Sequence, residues 1–134
     1  MAGYLLDTNH LSAALDRVSP LRERLHQMHR QGGRIGTCVP VLCELEAGIQ
    51  RTGRPQVLRR ALDRLLREVR VWPLDLSLAR VFGEFHLLLQ ARGRALSQVD
   101  ILLAALARQM NLTLLTTDRD FEALPEIPAE NWLG

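Results

Sequence analysis

Lysine is absent from this chain: all 17 basic residues are arginine. That excludes any mechanism resting on a lysine side chain. It also disfavours a phosphoacceptor receiver domain, which gathers aspartates and Mg²⁺ on a parallel sheet but needs a lysine beside them. Genomic base composition explains most such replacement of Lys by Arg, although guanidinium forks also suit bidentate phosphate contacts. Cysteine is scarce as well. Cys38 and Cys43 lie five residues apart in an apolar stretch, make neither a zinc pattern nor a disulfide framework, and read as small buried hydrophobes. No apolar run approaches the ~20 residues of a membrane span, and the N-terminus lacks a basic segment followed by a long apolar one. Neither an anchor nor a secretion signal is visible, and a cytoplasmic location is expected.

What is present suffices for one domain over residues 1–134. At this length, with 47% hydrophobic residues, the chain buries about two-thirds of its unfolded surface. The net charge of +2 is close to neutral.

Short apolar strands alternate with amphipathic helices. Tyr4-Leu5-Leu6 reads as a buried strand, followed by a helix capped by Thr8 or Asn9. Ser19-Pro20 opens a second helix, and Gly32-Gly33 closes it. Residues 34–39 form a second strand, and Pro40 opens a helix striped by Val41, Leu42, Leu45, Gly48 and Ile49. From Pro55 to Arg70 the chain is amphipathic. Its apolar side covers the core by default, with a partner chain as the other occupant to consider. Val69–Trp72 is a short strand, Asp75 caps the next helix, and Gln98–Met110 is apolar nearly all round and therefore central. Leu112–Leu115 is a fourth strand, and residues 125–132 give a weak fifth one at an edge because of Pro128. With no hairpin signal, this predicts a three-layer α/β/α sandwich around a short parallel sheet.

Four carboxylates stand where apolar segments end or turn: Asp7, Glu44, Asp100 and Asp118. Each has a local explanation. Asp7 can form an Asx-turn, Asp100 fits a capping box with Ser97, and Asp118 can start a turn into Asp120-Phe121. Glu44 and Glu46 flank the same stripe, and periodicity does not choose between them. Taken jointly, the aspartates would face one cleft at the carboxyl ends of the strands, where their mutual repulsion calls for a cation. Oxygen ligands without Cys or His favour Mg²⁺ or Mn²⁺. His10, His26, His29 and His86 show no metal spacing among themselves, and the His26–His29 pair reads as surface decoration. Trp72 and Trp132 read as packing under the sheet edges. Arg92 and Arg94, just before Asp100, are candidate phosphate contacts, with a solvated loop as the alternative.

Tyr4–Asn9, Val41–Gly48, Asp100–Ala107 and Thr116–Phe121, with Glu130-Asn131-Trp132-Leu133 at the end, together resemble the PIN domain, specifically the VapC-type toxin ribonucleases of toxin–antitoxin pairs. The resemblance covers the whole chain. It implies an endoribonuclease that hydrolyses RNA phosphodiester bonds with a Mg²⁺- or Mn²⁺-activated water, works as a homodimer and is inhibited by a VapB-type antitoxin. It places the acidic quartet on Asp7, Glu44, Asp100 and Asp118, favouring Glu44 over Glu46. Asp7 and Asp100 are then direct ligands, and Glu44 and Asp118 act through water or on a second ion. Asp120 is a lesser acidic member, and Thr8, Asn9 and Thr117 are polar positions that orient a ligand or water. The alternatives are a catalytically silent interaction domain and a DNA-directed nuclease of the same fold.

Overall fold

The computed structural model describes residues 2–134. Its strands are β1 (Gly3–Leu6), β2 (Arg34–Cys38), β3 (Arg70–Trp72), β4 (Thr113–Leu115) and β5 (Ala129–Glu130), all paired in parallel in the order β3-β2-β1-β4-β5. Between them lie α1 (Thr8–Ala13), α2 (Pro20–Arg30), α3 (Val39–Gln50), α4 (Pro55–Leu65), α5 (Leu76–Ala91) and α6 (Gln98–Met110), and a 3₁₀ turn spans Arg119–Ala123. The chain steps outward from β1 to β3, then returns across the sheet to β4. Right-handed crossovers therefore put α1–α4 on one face and α5–α6 on the other. The packing agrees: α1 touches α2 and α3, α3 touches α4, and α5 packs on α6. The expected three-layer sandwich is the one observed.

Local chemistry sets the helix starts. Ser19 Oγ accepts from the Arg22 N–H, Asp75 Oδ1 from the Leu78 N–H and Ser97 Oγ from the Asp100 N–H, each at 3.1 Å. Each such cap contributes roughly 1 kcal/mol. Helix α6 is central as its pattern predicts, with Ile101, Leu103 and Ala104 through Ala107 all buried. It ends at Asn111, whose φ of 57° satisfies the left-handed cap that Asn tolerates. At the sheet edge Trp72 lies over Gly36. A Cβ there would sit 2.6 Å from the indole and 2.9 Å from the Arg70 carbonyl, so only glycine fits.

Three expectations need correction. The cap of α1 is neither Thr8 nor Asn9 but Asp7, whose side chain accepts from the His10 N–H. The amphipathic helix stops at Leu65, because residues 66–69 turn to bring Val69 into the core and feed β3. Cys38 is buried at the end of β2, but Cys43 is exposed, being on the solvent side of α3. The weak edge strand does form: β5 pairs with β4 only at Ala129 and Glu130, just beyond Pro128. No helix among the described residues is long and apolar enough to cross a membrane.

Candidate active site

Strand β1 has β2 on one side and β4 on the other, and the next helices leave in opposite directions, so a crevice opens beyond the carboxyl ends of β1 and β4. Asp7 follows β1 directly, and Asp118 caps the 3₁₀ turn three residues after β4. Glu44 projects from α3 and Asp100 from the first turn of α6. Four separate elements thus deliver one carboxylate each.

Their charges act on one another. Burial raises the pKa of Asp100; its hydrogen bond with Ser97 opposes this, and repulsion from Asp118, Glu44 and Asp7 adds to the rise. One carboxylate therefore feels the other three at once. Asp7 behaves differently. Burial raises its pKa, but hydrogen bonds from the His10 side chain and N–H and from Thr116 outweigh burial, and the carboxyl titrates below the usual aspartate range. A nearly buried group held ionised beside other carboxylates is a strong oxygen ligand.

The local explanations and the joint one coexist, because each local bond uses a single oxygen. Asp7 caps α1 through Oδ1, while Oδ2 accepts from the Thr117 N–H at 3.4 Å. Asp118 Oδ1 accepts from the Asp120 N–H at 2.8 Å. Asp7 Oδ2, weakly engaged, and Asp118 Oδ2 remain for the cleft.

The polar neighbours link the acids. The Thr8 hydroxyl donates to Glu44 Oε1 at 2.6 Å, and the Asn9 amide donates to Thr117 Oγ1 at 2.9 Å. Glu46, which periodicity left level with Glu44, is turned the other way and pairs with Arg59 of α4 at 3.0 Å. Asp120 pairs with Arg94 at 3.2 Å. Arg92 is more firmly engaged. It donates to the Ala123 carbonyl at 2.6 Å and to Glu126 at 2.6 Å, bracing the 3₁₀ turn. Beside Asp118 a cleft of about 600 Å³ extends past Thr117, Phe121 and Glu130.

His10 shows no metal spacing with the other histidines, yet it is fully buried, with Nδ1 3.0 Å from Asp7 Oδ1. The pattern Asp-x-x-His at a helix start is the available signal, since it puts the fourth residue over the cap. His26 instead pairs with Glu68 at 2.7 Å, and His29 and His86 are exposed.

No trio of His, Cys, Asp or Glu among the described residues forms a ready-made cage. Mg²⁺ keeps most of its waters and takes one or two carboxylates directly, so it does not require such a cage. The donor set, all oxygen with its repulsion uncompensated, fits a hard divalent cation.

A five-stranded parallel sheet with helices on both faces and acidic residues near the carboxyl ends of its central strands defines the fold class. Within it, the chain belongs to the PIN domain family, which matches residues 4–127. Among curated proteins it is similar to Ribonuclease VapC2 of Rickettsia felis, 25% identical over 130 residues, covering 96% of this chain and 97% of that one. It is also similar to Ribonuclease VapC2 of Haemophilus influenzae, 27% identical over 134 residues, covering 99% and 100%. Among solved structures it superposes on a chain of VapBC2 from Rickettsia felis bound to a promoter DNA fragment, with TM-score 0.87, 24% identity and coverage of 96% and 98%. DNA-bound VapBC from Salmonella typhimurium gives TM-score 0.84, 24% identity and coverage of 98% and 99%.

Proposed function

We propose that this chain is a Mg²⁺- or Mn²⁺-dependent endoribonuclease, the toxin of a VapBC-type pair. The observation that carries the reading is geometric: β1, α3, α6 and the turn after β4 each bring one carboxylate, Asp7, Glu44, Asp100 and Asp118, toward the carboxyl ends of the central strands, near enough for Asp100 to feel the other three. The relatives support it by name, as ribonucleases and as chains of VapBC complexes, each chain matched over nearly its whole length. By the same analogy, the partners are RNA, a VapB-type antitoxin and a second copy of the chain, and the protein acts in the cytoplasm.

Asp7 and Asp100 would hold the cation, with Glu44 and Asp118 as its further carboxylate partners. When bound, such an ion would supply an acidified water and neutralise charge on the phosphate under attack. The chain's own residues prepare the ground. Thr8 orients Glu44, Asn9 and Thr117 brace one another beside Asp7, and Asp120 adds negative charge at the rim while holding Arg94. Of the two arginines, Arg94 is the readier phosphate contact, because Arg92 would first have to give up Glu126 and the Ala123 carbonyl.

The test is cleavage of RNA by Asp7→Asn. Asparagine caps helices about as well as aspartate, so the fold should survive. Cleavage with Mn²⁺ that EDTA stops in wild type and that vanishes in Asp7→Asn is the expected result. Undiminished metal-dependent cleavage by a nuclease-free preparation of that variant would refute the assignment. A matched single-stranded DNA substrate, run in parallel, separates the ribonuclease from a DNA-directed enzyme.

A further inference from the structure

We propose that His10 is a positioning residue for Asp7, and that the C-terminal segment around Trp132 holds it in that role; this rests on Asp7 being a cation ligand. The imidazole is fully buried between two partners. Nδ1 lies 3.0 Å from Asp7 Oδ1, and Nε2 lies 3.0 Å from the backbone nitrogen of Trp132. A peptide N–H can only donate, so Nε2 must accept. A neutral imidazole then carries its proton on Nδ1, aimed at Asp7.

The donor on the far side is itself anchored. The Trp132 indole packs against Tyr4 of β1 with centroids 4.8 Å apart, and the Arg24 guanidinium of α2 lies 3.5 Å from its ring centroid. Its Nε1–H donates to Glu130 Oε1 at 3.0 Å. Strand β1, helix α2 and the end of the chain thus converge to fix one peptide N–H, 122 residues away in sequence from the histidine it meets.

The consequence falls on a soft torsion. The carboxylate χ2 of aspartate is a broad two-fold rotor. Two donors on Oδ1, the His10 N–H at 2.8 Å and Nδ1 at 3.0 Å, stop it turning and leave Oδ2 to the cleft. Histidine held by a hydrogen bond on its far nitrogen is a familiar way to orient metal ligands. Here the ligand is the carboxylate, and histidine stands behind it.

The experiment combines two readouts. Long-range ¹H–¹⁵N spectra of the metal-free protein report the His10 tautomer. Calorimetric titration with Mn²⁺ compares wild type with His10→Leu, which fills the space without a donor, His10→Asn, which keeps an N–H near the Nδ1 position, and Trp132→Ala. The expected results are the Nδ1–H tautomer in wild type, Mn²⁺ binding weakened about 10–100-fold in His10→Leu, and recovery of most of it in His10→Asn. In Trp132→Ala the tautomer signature blurs and binding is intermediate. An Nε2–H tautomer, or a folded His10→Leu that binds Mn²⁺ as wild type does, overturns the proposal. If His10→Leu does not fold, the spectrum and His10→Asn decide, and a folded His10→Asn about tenfold weaker than wild type then counts against it. Wild type binding Mn²⁺ no better than Asp7→Asn would instead remove the cation reading itself.

Discussion

The Thr8 hydroxyl donates to Glu44 Oε1 at 2.6 Å, joining the first residue of α1 to the middle of α3 across the mouth of the acidic cleft. Charge-assisted bonds of this kind are short and fix the acceptor's rotamer. Thr8→Val, which keeps the shape and removes the donor, should therefore lower the cleavage rate about tenfold or more, while Thr8→Ser keeps most of it. Single-turnover rates at saturating Mn²⁺ are the check; equal rates for Thr8→Val and wild type would show that Glu44 needs no such guide.

Glu44 and Glu46 make a matched pair for a second test. Glu46→Gln breaks only an exposed ion pair with Arg59, so it should cost less than about 1 kcal/mol in urea unfolding and leave cleavage unchanged. Glu44→Gln should reduce cleavage sharply with little effect on stability. The reverse pattern would reassign the acid on α3.

This pair also shows where the sequence runs out. Val41, Leu45 and Ile49 mark the buried stripe of α3 correctly, but the two glutamates flank it symmetrically. What distinguishes them is long-range, Thr8 on one side and Arg59 on the other. The caps at Ser19, Asp75 and Ser97 were readable because they act within three residues. For His10 only the Asp7 side is legible in this way, since its second partner comes from the other end of the chain. Cys43 misled because it sits in an apolar run whose helical turn carries it outward.

Packing at the sheet edge gives a prediction free of the site chemistry. Gly36→Ala drives a methyl to 2.6 Å from the Trp72 ring and should destabilise the protein by about 1–3 kcal/mol in urea unfolding. A change near zero would mean that Trp72 moves aside freely.

Asp75 supplies a pH test away from the cleft. Hydrogen bonds from the Ser77 hydroxyl, the Gln109 amide and the Leu78 N–H hold its carboxyl below the usual aspartate range. Folding therefore favours the ionised form. The stability this contributes is complete above the unfolded aspartate pKa of about 3.9 and is lost as pH falls through the lower folded value. Asp75→Asn should accordingly be less stable than wild type at neutral pH, with the gap closing in acid. A gap that widens on acidification would contradict the assignment.

The most direct test is equilibrium Mn²⁺ binding to the metal-stripped protein and to Asp7→Asn and Asp100→Asn, with folding checked by circular dichroism. If the carboxylates of β1 and α6 share an ion, wild type binds Mn²⁺ and each substitution alone removes most of the binding. Binding unchanged in both folded variants would show that these side chains hold no common cation.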